Sequence, residues 1–126
     1  MAGASNTLHE SESVLSSQTR DVHRALVSIQ EELEAVDWYR QRAEAAADEE
    51  LRAILLHNMR EEIEHASMLL EWLRRREPHV DLMFRTYLFT DKPVTVVEDE
   101  AEQASASAPA RSAPVPPLTV GTMKGG

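Results

Sequence analysis

Glu62-Ile63-Glu64-His65 places a carboxylate and an imidazole three residues apart. In a helix such residues are neighbours on one face. Carboxylate oxygen with imidazole nitrogen suits a metal such as iron or manganese. The plain alternative is a Glu–His hydrogen bond or simple surface polarity, because Glu-x-x-His is a common pattern. The seam that holds the pair is less common. Leu51, Leu55, Asn58, Glu62, His65, Leu69 and Trp72 follow one another in alternating steps of four and three. The seam is apolar at both ends and polar in the middle. A second seam, Met59, Ile63, Ala66, Leu70 and Leu73, runs beside it. Glu62 therefore borders a broad apolar face. Burying an ionised carboxylate costs several kcal/mol unless a partner or a metal compensates it.

A second segment supplies a possible partner. Val22, Leu26, Ile29, Leu33 and Val36 form the apolar stripe of a helix. Glu32 lies between Ile29 and Val36, at the border of that stripe. Tyr39, seven residues on, falls on the same side two turns later, with Trp38 adjacent. One Glu facing one Glu-x-x-His is half of a carboxylate-bridged di-metal site, which draws two of each from four helices. This chain has two long helices and one motif, so the set closes only if two chains meet across a two-fold axis. Glu31, Glu34 and Asp37 read either as a solvated acidic face or as a weak cation-attracting site next to the metals. His57 and Glu61 read as a surface pair, and Met59, Met68 and Trp72 as packing. His9, His23 and His79 have no evident partner. Neither a phosphate-binding glycine loop nor a Ser–His–Asp constellation is present.

The elements that must position these residues follow from patterning. One helix is expected from about Ser13 to Ala45 and a second from about Glu49 to Arg76, with Asp48 as N-cap and Arg74, Arg75 and Arg76 at the negative end of the helix dipole. The short connection predicts an antiparallel hairpin. Pro78 ends the second helix, and Leu82, Met83, Phe84, Tyr87, Leu88 and Phe89 predict a shorter third one, ending near Thr90 to Pro93. Residues 94–102 fit either a further helical turn or the start of a tail.

The fold class is therefore all-α: a two-helix hairpin plus a short C-terminal helix, completed to a four-helix bundle by dimerisation. The expected organisation is a frayed segment 1–12, a helical domain 13–98, a linker 99–117 and a terminal peptide 118–126. In 101–117, 13 of 17 residues are Ala, Ser or Pro, a composition that favours an extended linker. Beyond it, Leu118, Val120 and Met123 return as spaced apolar residues. They are either a random end or the anchors of a docking strand.

At 126 residues the chain suits one small domain. Cysteine is absent, which excludes disulfides, thiolate clusters and Cys nucleophiles. The formal charge of −9 argues against nucleic acid and permits cations as partners. No stretch is long and apolar enough for a membrane span, and the N-terminus lacks a signal-peptide pattern, so a cytoplasmic start is expected.

The segments 31–39 (Glu-Glu-Leu-Glu-Ala-Val-Asp-Trp-Tyr), 57–66 (His-Asn-Met-Arg-Glu-Glu-Ile-Glu-His-Ala), 70–75 (Leu-Glu-Trp-Leu-Arg-Arg) and 85–90 (Arg-Thr-Tyr-Leu-Phe-Thr) resemble the encapsulated ferritins. The likeness covers roughly residues 8 to 98, and residues 118–126 resemble a peptide that targets cargo to the inner wall of an encapsulin shell. The resemblance implies a ferroxidase that oxidises Fe²⁺ with O₂ at a di-iron site between two subunits, two irons per site, within an annular decamer of five dimers. It implies Glu32, Glu62 and His65 as iron ligands and Tyr39 beside the di-iron centre. It further implies Glu31 and Glu34 as a metal entrance or attraction site, with Trp38 close by. The protein would then reside in the bacterial cytoplasm inside an encapsulin nanocompartment, whose lumen would hold the mineral. Two other readings stay open: a non-enzymatic hairpin cargo or scaffold whose polar seam only sets register, and a rubrerythrin-like di-iron peroxidase, against which the lack of a thiolate electron-transfer site argues.

Overall fold

The computed structural model describes residues 7–107. Within them the chain is all-helical. Helix α1 spans Ser17–Ala45, α2 Glu49–Arg76, α3 Pro78–Tyr87 and α4 Val94–Ser107. A short 3-10 turn, Glu12–Val14, precedes them. The described residues fall into two compact units, one ending at Leu73 and the other beginning at Arg74.

The first unit is the hairpin. Helix α1 starts four residues later than the expected Ser13. Ser16 rather than an earlier serine caps it, its hydroxyl accepting from the Thr19 N–H at 3.0 Å. The 3-10 turn takes the intervening residues, and Arg20 donates back to the Leu15 carbonyl at 2.6 Å. Asp48 caps α2 as expected, accepting from the Leu51 N–H at 2.8 Å, which satisfies one of the four free amides at the helix start. Only residues 46–48 separate the helices, so α2 must fold back along α1. Arg40, Ala43 and Glu44 accordingly share a cavity with Arg52, Leu56 and Met59 near the turn. At the far end Asp21, Ala25 and Ser28 share one with His65, Leu69 and Trp72.

Small residues set the spacing of the hairpin. Ala25, Ile29, Ala43, Ala66 and Leu73 are buried. Leu26, Leu33, Leu51, Ile54, Ile63 and Met68 are exposed, and no large side chain among the described residues is fully sealed. Part of the apolar stripe read from α1 thus lies outside the hairpin seam. Each helix carries more apolar surface than its hairpin partner covers.

In the second unit, Pro78 opens α3, where its fixed φ and missing N–H cost nothing. Asp81 accepts from Arg74 and from Arg85, the latter at 3.0 Å, and this tethers the end of α2 to α3. Helix α3 stops at Tyr87, so Leu88 and Phe89 do not belong to it as the spacing had suggested. Phe89 adopts φ 63° at the turn and is fully exposed. Helix α4 packs on α3 and buries Val97.

This helix corrects the expected linker: 99–107 is helical. Ala101, Ala104 and Ala106 are strong helix formers, no proline interrupts the segment before Pro109, and the Pro93 carbonyl receives the first amides. The remainder of the expected linker, and Leu118, Val120 and Met123, lie outside the described residues.

Candidate metal centre

Helical geometry assembles the site from two points in the hairpin. Glu62 and His65 sit one turn apart on α2, and Glu32 faces them from α1. Their donor atoms all lie within 4.8 Å of one another. His65 Nδ1 is 3.2 Å from Glu62 Oε1 and 3.4 Å from Glu32 Oε1, so one ring nitrogen stands between two carboxylates. Glu32 and Glu62 are mostly withdrawn from solvent, while His65 is half-exposed.

Glu32 Oε1 is the telling atom. It is buried and has no hydrogen-bond partner. Such an orphan costs about 1–3 kcal/mol, more when charged, and needs an explanation. A cation seated among the three donors would supply one, because it would neutralise the carboxylates and ligate that oxygen. The donor set of two carboxylates and one imidazole suits iron or manganese, so the residues present fit the metal their pattern points to.

Electrostatics point the same way. Contact with Glu62, and then loss of solvent, hold the Glu32 carboxyl above the ordinary 4.5. The same contact, aided by His65, holds Glu62 below it. Hydrogen bonding to Glu62, followed by the charge of Glu32, raises the His65 imidazole above the ordinary 6.5. Glu32 and His65 thus keep their protons to higher pH than free side chains would, and Glu62 loses its proton at lower pH.

The other residues singled out from the sequence lie apart from this triad. Tyr39 is two turns along α1, roughly 10 Å at 1.5 Å per residue. Its ring is half-buried beneath Arg42, whose guanidinium carbon is 5.4 Å from the Tyr39 centroid and 5.9 Å from that of Trp38. Glu31 is exposed and Glu34 half-buried. Neither joins the one cluster of metal-ligating side chains found among the described residues. His57 pairs loosely with Glu61 at 3.8 Å on the surface, as expected.

Glu61 itself was missed. Its other oxygen lies 4.0 Å from His65 Nε2, the nitrogen turned away from the triad. The i, i+4 spacing of Glu61 and His65 was the available signal. It was hidden because Glu61 already had a partner in His57.

Comparison with known proteins shows the family. The EncFtn-like family matches residues 7–91. The chain is 49% identical over 130 aligned residues to a protein of Rhodospirillum rubrum named encapsulated ferritin-like protein, covering 99% of this chain and 93% of that one. It is 31% identical to an encapsulin nanocompartment cargo protein of Myxococcus xanthus, over 78% of this chain and 80% of that one. Among solved structures, protein ne0167 of Nitrosomonas europaea superposes with a TM-score of 0.67 at 56% identity, covering 69% of this chain and 96% of that chain.

Proposed function

The chain belongs to the EncFtn-like family of encapsulated ferritin-like proteins, and from that premise we propose that it is a ferroxidase whose di-iron site is completed by a second copy of itself. The observation that carries this reading is the buried oxygen of Glu32, which makes no hydrogen bond, beside Glu62 and His65. One chain offers three ligating side chains. Two chains related by a two-fold axis offer four carboxylates and two imidazoles, the complement of a carboxylate-bridged pair of metals. The exposed leucines and isoleucines of both helices give the second copy a surface to cover.

Iron is the substrate. Two Fe²⁺ give up one electron each to O₂, which with two protons becomes hydrogen peroxide. The protein binds, holds charge and manages protons. Glu32 and its counterpart would be shared by the two irons, while Glu62 and His65 of each chain would hold one iron apiece. The four carboxylates balance the charge of two Fe²⁺ and favour the harder ferric product. His65 must shed its proton to ligate through Nδ1, so binding releases protons. Tyr39 lies near the centre in the assembled protein, and Glu31 with Glu34 attract incoming Fe²⁺ from solvent. The assembly is a ring of five dimers.

The product is stored in the lumen of an encapsulin shell, to which Leu118, Val120 and Met123 anchor the protein. The name of the Myxococcus xanthus relative, an encapsulin cargo protein, supports that destination. The test is Fe²⁺ oxidation under air by the wild type and by Glu32→Ala. The variant is expected to oxidise iron no faster than protein-free solution. A fully active Glu32→Ala would overturn the assignment.

A further inference from the structure

Met68 follows His65 by one turn of α2, and the two share a cavity of about 540 Å³ with Leu69 and Trp72. Its side chain is among the more exposed apolar ones of the hairpin, at 58%. Met59 is as close to Glu62 in sequence as Met68 is to His65, but it lines a different cavity, with Arg40 and Arg52.

We infer that Met68 is a sacrificial oxidation site, whose thioether captures hydrogen peroxide released next to it by iron oxidation. This rests on the ferroxidase reading, which supplies the peroxide. The step balances. The sulfur of Met68 attacks one peroxide oxygen, the S–O bond forms as the O–O bond breaks, and sulfoxide and water result. Sulfur loses two electrons and peroxide gains them. Methionine is suited to this role because its sulfoxide can be reduced back enzymatically, whereas oxidised His or Trp is not restored that way. The position is selective for a simple reason: the cavity that Met68 lines includes His65 of the triad, whereas the one that Met59 lines includes none of the triad, so peroxide leaving the site past His65 meets Met68 first.

The test uses the full chain, loaded with Fe²⁺ and exposed to air with and without catalase in solution. Catalase removes peroxide only after it has escaped. Peptide masses then report the gain of about 16 Da expected for each sulfoxide. Met68 is expected to keep its gain in catalase, while Met59 falls to the level of protein never given iron. Iron oxidation with loss of the Met68 gain in step with Met59 would overturn the inference and leave the ferroxidase reading standing. Absence of iron oxidation above the protein-free rate would overturn both.

Discussion

A carboxylate oxygen removed from water that makes no hydrogen bond is tolerated only where something else repays the cost. On the proposed reading the repayment is a proton or a cation, and the two compete. His65 is raised above 6.5 by Glu62 and Glu32. Its protonated form therefore stabilises the metal-free hairpin at pH below about 6.5, and that contribution fades as pH rises through the elevated folded value. Metal binding, as proposed, has the opposite dependence. It strengthens as His65 and Glu32 deprotonate and weakens towards acid, beginning at a higher pH than an ordinary histidine would give. An NMR titration of the metal-free protein should place the His65 midpoint above 6.5. In Glu62→Gln the midpoint should drop towards the ordinary value, because the first cause of its rise has gone. An unchanged midpoint would mean that Glu62 does not hold the His65 proton.

The elements that bring these groups together are set by local rules that can be tested separately. Asp48 closes the three-residue connection by capping α2. Asp48→Ala should cost about 1 kcal/mol, the usual worth of an N-cap, read as a lower midpoint in urea unfolding. Unfolding at the wild-type midpoint would contradict that role. The triad was legible in the sequence because steps of three and four map directly onto a helix face, and the capped connection dictated which helix lay opposite. Other features were not. Ala-rich, Ser-rich composition serves a linker and a helix equally well, so α4 beyond residue 98 became evident only from its packing on α3 and the proline-free run up to Pro109. An apolar stripe gives a direction but not the neighbour that covers it. Ile29 is buried in the hairpin, while Leu26 and Leu33, in the same stripe, are not.

Those uncovered residues belong to the scale of the whole molecule. Leu33 and Ile63 flank Glu32 and Glu62 in sequence and are about half-exposed, at 53% and 46%. If a second copy covers them, Leu33→Glu and Ile63→Glu should shift the protein to smaller species in sedimentation velocity, while circular dichroism of the hairpin stays helical. Retention of the wild-type assembly by both variants would remove that surface from the interface. At the other end of the chain, removal of residues 118–126 should abolish co-purification with an encapsulin shell protein and leave iron oxidation intact. Persistent encapsulation would place the anchor elsewhere.

The central claim is that one polypeptide holds half of a catalytic centre. An anaerobic Fe²⁺ titration, with bound iron and particle mass read on the same samples, tests it most directly. Saturation at one tightly bound iron per chain, accompanied by a rise in the mass of any dissociated species, is the expected result. Iron held by single hairpins that stay monomeric at saturation would contradict the claim.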